Sequence, residues 1–153
     1  MPSAPHGFLR IGAACPRVAV ADPESNVDFL LAAIRDAHGR GVQVLVVADD
    51  GPPMRSDRDA VDLIGDALGA GVGWVAIQAE RLGEDFFVLS TRIAGDAIQK
   101  FVNYGIGLAV VGDISRHVAK STPLRDFVYE SNRGRHVWFV ADLAELEARL
   151  APR

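Results

Sequence analysis

The chain has 153 residues, 49% of them hydrophobic and 24% charged, with a net charge of -4, which suits one ordinary globular domain that buries about two-thirds of the surface its unfolded form exposes. The negative balance offers no general attraction to nucleic acid or to an anionic membrane, so protein or small-molecule partners are expected. Cys15 is the one cysteine, which excludes an intrachain disulfide and a thiolate zinc site, and the opening MPSAPHGFLR lacks a signal-peptide layout, so a cytoplasmic setting is expected.

Residues 8–14 form a short apolar run closed by Pro16 and predict a strand. Asp22 then stands at a cap position before Pro23 and Glu24, with Val27, Leu30, Leu31 and Ile34 at helical spacing. The run VQVLVVA at 42–48 is β-branched and apolar throughout, as a strand covered on both faces should be, and DDGPP at 49–53 ends it. Ser56 followed by Asp59 reads as a capping box before Ala60, Val61, Ile64 and Leu68. Residues 74–78 predict the next strand. The segment at 86–115 reads as paired phenylalanines, a Ser/Thr-capped helix with Ile93, Ala94, Ala97, Ile98, Phe101 and Val102 on its apolar face, a left-handed closing turn at Gly105, and a buried strand over 108–112. Thr122 and Pro123 open a further helix, residues 136–140 make the last strand, and Asp142 caps a final helix carrying Leu143, Leu146 and Leu150. Five strands thus alternate with five helices, and their lack of period-two polarity predicts an α/β fold with a largely parallel, helix-covered sheet in a single domain over 1–153.

Several residues carry candidate chemistry. Asp49, Asp50 and Asp113 follow apolar strands, so a parallel sheet would bring them to its carboxyl edge, where three carboxylates could hold magnesium as a phospho-receiver domain does or serve a small-molecule enzyme, the alternative to a binding role. A receiver also needs a hydroxyl and a lysine at later strand ends, and the last strand ends in Val140, Ala141 and Asp142; solvated turn aspartates are the plainer reading. Arg133 and Arg135, with Asn132 and His136, could grip an anion, or form a solvated turn. His117 has no partner visible in the sequence. Gly69, Gly71 and Gly73 precede a strand, the wrong context for a dinucleotide loop, and no cofactor is expected.

DAVDLI (59–64), the run of paired phenylalanine to AG (86–95), QKFVNY (99–104), LAVVGD (108–113), LRDFVYESNRGR (124–135) and VWFV (137–140) together resemble a bacterial family known only as a domain of unknown function, over about residues 42–150. That family's usual Asp after the paired phenylalanines is Val88 here, and Arg92 stands where Gly is common. The same region is similar, more distantly, to the STAS domains of sulphate transporters and anti-sigma-factor antagonists, in which hydroxyl residues open a helix and their phosphorylation controls partner binding. Ser90, Thr91 and Ile93 align with that segment, so the resemblance implies a non-enzymatic regulatory or protein-interaction module, with Ser90 and Thr91 as phosphorylation candidates and self-association left open. A hydroxyl in that place also suits plain helix capping.

Residues 5–48, with HGFLRIGAACPRVAVADPESN (6–26) and VQVLVVAD (42–49), resemble instead the nitrilase-like glutaminase segment of glutamine-dependent NAD synthetase. Its Glu-Lys-Cys set cannot be assembled, because Val47, Ala48 and Asp49 occupy the place of the catalytic Glu segment and no Lys precedes Lys100. The two resemblances meet at the strand over 42–48, which predicts a chimera of a βαβ piece (1–48) and a STAS-like body (49–153), natural or engineered.

Overall fold

The computed structural model describes residues 10–14, 42–47 and 51–150. The helix expected from Asp22, the candidates Asp49 and Asp50, and Cys15 lie outside the described residues. Five strands, β1 (Arg10–Ala14), β2 (Val42–Val47), β3 (Trp74–Gln78), β4 (Gly107–Val111) and β5 (Val137–Val140), form one sheet in the order β1-β2-β3-β4-β5. Every neighbouring pair is parallel, as expected for an α/β chain. The helices are α1 (Asp57–Ala70), α2 (Ile93–Asn103), α3 (Ser115–Lys120), α4 (Thr122–Arg133) and α5 (Leu143–Leu150). No helix among the described residues is long and apolar enough to cross a membrane.

The strand order follows the chain, so each crossover steps one strand in the same direction, and crossovers of one hand then lie on one face. The core shows this arrangement. Ala60, Ile64 and Ala67 of α1, Ala94, Ala97 and Phe101 of α2 and Leu124 of α4 bury together with Val75, Ile77, Leu108, Val110, Val137 and Phe139 of the strands. The alternate strand residues Val44, Ala76, Ala109, Val111 and Val140 face the other way and pack with Leu146 of α5. Strand residues one apart thus enter different layers, as the pleat requires.

On that second face Trp74 and Trp138 stack at 4.2 Å although β4 runs between their strands. They meet because β4 carries only Gly107 and Ala109 beneath them, Gly107 paired with Trp74 and Ala109 with Trp138. A Cβ at 107 would overlap the Trp74 indole. Trp138 Nε1 donates to the Gly134 carbonyl at 2.9 Å, and the Arg149 guanidinium lies 5.6 Å from the Trp138 ring centre, so both the polar and the π character of the indole are used.

Local signals hold where they were short-range. Ser56 and Asp59 form the reciprocal capping box of α1, Asp142 Oδ1 accepts the Glu145 N–H at 2.8 Å at the start of α5, and Gly105 turns left-handed at φ 68 after α2. At α4 the cap is Ser121, whose hydroxyl accepts the Leu124 N–H at 3.2 Å, with Thr122 and Pro123 inside the first turn. The short helix α3 and the three 3-10 turns over 79–91 are features the sequence did not announce.

Candidate functional site

At the carboxyl edge of β3 the chain runs Gln78, then three 3-10 turns (Ala79–Arg81, Glu84–Phe87 and Leu89–Thr91), before entering α2. The 3-10 turns are too short to hold themselves and are anchored by burial of Leu82, Phe86 and Phe87. Phe86 and Phe87 meet edge to face at 5.4 Å. Thr91 ties the remainder together. Its Oγ1 lies 2.8 Å from the carbonyl oxygens of both Asp85 and Val88, sharing its proton between them, and accepts the Ile93 N–H at 3.4 Å.

The expected Ser/Thr cap of α2 is corrected here. The N-cap is Arg92, in the left-handed region at φ 65 and without a side-chain cap bond. Thr91 sits one residue earlier because its hydroxyl is drawn back to the loop carbonyls. Ser90 is exposed and makes no side-chain hydrogen bond among the described residues. Beside it Val88 is 48% exposed and Arg92 is exposed, so this end of the loop offers an apolar group, a free hydroxyl and a cation together.

A second group converges on the same edge from β4. Asp113 is exposed just beyond β4, and its Oδ1 accepts the Ser115 N–H at 2.8 Å. The hydrogen bonds from Ser115 hold its carboxyl below the usual carboxylate range. Its role in the described structure is to turn the chain into α3. Among the described residues no three His, Cys, Asp or Glu side chains are grouped to hold a metal ion.

His117 is far from isolated. Its ring lies flat against Phe87 at 4.2 Å, its Nδ1 is 3.6 Å from Glu84 Oε2, and Arg116 Nε donates to its Nε2 at 3.2 Å. Arg116 also pairs with Glu84 through Oε1. Desolvation against this wall pushes the His117 pKa down; Glu84 pulls it up, while Arg116 and Lys120 push it down further. The cluster was not legible in the sequence, because Glu84 and Phe87 belong to the loop after β3 and His117 to the helix after β4, and only the adjacency of those two strands joins them.

Between the turn after β2 and the loop after β3 lies a cleft of about 160 Å³, with Met54, Leu63 and Ile77 as its apolar lining and Asp59, Asp62 and Arg81 among its polar groups. Arg81 closes one side by donating from Nε and Nη2 to the Pro52 carbonyl at 3.2 and 2.8 Å, and the Met54 N–H donates to the Arg81 carbonyl at 2.7 Å. Asp59 is occupied with the N–H groups of Arg55 and Ser56, and those bonds hold its carboxyl low.

The two arginines proposed for anion binding lie elsewhere. Arg133 ends α4 and Arg135 precedes β5, at the amino edge of the sheet, opposite Ser90 and Thr91. Arg133 pairs with Glu130 at 3.7 Å and lies 5.6 Å from the Tyr129 ring centre. Arg135 is exposed and makes no ion pair among the described residues. The structure therefore brings Ser90, Thr91, Asp113 and His117 to one edge and leaves Arg133 and Arg135 at the other.

Residues 39–150 match the family model described as Domain of unknown function (DUF4180). No curated protein matches the chain, and no solved structure does.

Proposed function

The chain belongs to the family described as Domain of unknown function (DUF4180), and from that premise we propose that it is a non-enzymatic regulatory module of STAS-like type that binds a protein partner through the end of the β3–α2 loop. The observation that carries this reading is the division of labour between two adjacent hydroxyls. Thr91 is bonded to the Asp85 and Val88 carbonyls and fixes the loop shape, whereas Ser90 is exposed beside Val88 and Arg92. A loop held in shape by its own bonds loses little conformational entropy when a partner docks. A phosphate on Ser90 would add a charge of about -1.5 to -2 to the docking face without breaking a bond that holds the loop. A phosphate on Thr91 would set its oxygens against two carbonyl oxygens. Ser90 is therefore the regulatory hydroxyl in this proposal and Thr91 its structural support.

The test is site-specific photocrosslinking in the native host. A photoreactive residue at Val88 should capture one discrete protein, the product should disappear with Ser90→Glu, and the same group at Arg135 should not capture it. Identical products from both positions would overturn the docking surface.

A further inference from the structure

Helix α3 is the shortest helix described, and it packs against α4. It has six residues, none of them buried, and no side-chain cap from its N-cap Ile114. Ile114 and Val118 rest partly buried against the main core, and on the loop side α3 is tied by Arg116 and His117. Those two and Glu84 close a ring: Glu84 to Arg116, Arg116 Nε to His117 Nε2, and His117 Nδ1 back to Glu84. The ring exists only while Nε2 carries no proton, since an imidazolium would turn an N–H toward the Arg116 N–H and leave two donors facing each other.

We propose that α3 is an acid-released latch: protonation of His117 drives Arg116 out of the Glu84 ring, hands Glu84 to the imidazolium and loosens α3 from Phe87 and the loop. The charged groups facing His117 are Glu84 from the loop and Arg116 and Lys120 from α3 itself. Phe87, 4% exposed, supplies the apolar wall. Burial is the largest influence on the ring, so the folded state favours neutral His117. The direction follows by linkage. A histidine whose folded pKa lies below its unfolded value gives its full contribution above the ordinary imidazole range, and that contribution is lost as pH falls through this range toward the folded value. Opening α3 would uncover Phe87 and the end of β4, at the edge where parallel sheets place their ligands. This inference stands independently of the role assigned to Ser90.

The whole chain, labelled for NMR, tests it without any substitution. The His117 ring should titrate below the ordinary value of about 6.5, and the Arg116 Nε–H signal should lose its protection with the same midpoint. Amide exchange over residues 115–120, corrected for its intrinsic pH dependence, should accelerate by up to about tenfold for each unit separating the folded from the ordinary value. Glu84→Gln should lower the midpoint, Arg116→Gln should raise it, and His117→Gln should abolish the pH dependence of exchange. A midpoint at or above the ordinary value, an Arg116 signal indifferent to that midpoint, or exchange in α3 that merely tracks the rest of the molecule would overturn the latch.

Discussion

Asn132 holds both main-chain groups of Phe139: its Oδ1 accepts the N–H at 2.7 Å and its Nδ2 donates to the carbonyl at 3.1 Å. Leu108 and Gly112 of the β4 side take the carbonyls of His136 and Val140, so the groups of Phe139 point away from the sheet, along the free side of β5. One amide side chain from α4 thus stands in for a neighbouring strand at the centre of that edge. An edge left open would offer a template for pairing with another chain.

Asn132→Asp keeps the acceptor and loses the donor, setting a carboxylate oxygen against the Phe139 carbonyl. We expect a loss of about 1–3 kcal/mol, read as a lowered urea midpoint at unchanged slope. Asn132→Ala should cost a similar amount and also raise concentration-dependent association, measurable by light scattering.

The chain's two tryptophans are the stacked pair, so their transitions should couple and give a bisignate near-UV circular dichroism band. Trp138→Phe should remove the band with the far-UV spectrum retained. Gly107→Ala forces the Trp74 indole off its seat and should cost about 1–3 kcal/mol, the usual range for overpacking, with partial loss of the same band.

Arg92 holds a left-handed backbone that costs a side-chain-bearing residue about 1–2 kcal/mol and glycine almost nothing. Arg92→Gly should therefore raise stability by about 0.5–1 kcal/mol once the greater unfolded freedom of glycine is subtracted. Thr91→Val should lower it by about 0.5–1.5 kcal/mol, because the loop loses the hydroxyl proton shared between the Asp85 and Val88 carbonyls, each of which keeps one backbone donor, while Ser90→Ala should stay within about 0.5 kcal/mol of the parent. Thermal denaturation of the three variants checks the order, and a Ser90→Ala loss equal to that of Thr91→Val would contradict the division between the two hydroxyls.

Asp66 on α1 is half-buried and carries no side-chain hydrogen bond or ion pair among the described residues; desolvation first and the Asp62 charge second push its pKa up. A carboxyl whose folded value is raised penalises the folded state at neutral pH, and the penalty fades as pH falls through that value. Asp66→Asn should stabilise the protein at pH 7 by less than about 1 kcal/mol, given its partial exposure, and the advantage should vanish in acid. Urea midpoints at neutral and acid pH, compared with the parent, give the answer.

What could be read from the sequence was what neighbouring residues settle among themselves. The Ser56 box and the Asp142 cap depend on residues three apart, and strand burial shows directly in apolar runs. The 3-10 turns over 79–91 lack any repeating pattern and are held by Phe86 and Phe87 dropping into the core, a tertiary cause. Thr91 was visible as a hydroxyl near a helix start, yet its bonds run backward to Asp85 and Val88, which shifts the cap to Arg92. Asp113 was visible at a strand end, but its bond to Ser115 depends on the α3 turn. The Glu84, Arg116 and His117 ring rests on β3 and β4 being neighbours, and nothing in either segment alone announces that pairing.

The sequential strand order has an evolutionary reading. Among the described residues β1 pairs with β2 alone, and each inner strand pairs only with the strands just before and just after it in the chain. In a sheet ordered in this way, a βα unit exchanged at the β1 end would replace one ladder and leave those from β2 to β5 in register. Segments of separate ancestry can be spliced at such a boundary without redrawing the rest of the molecule.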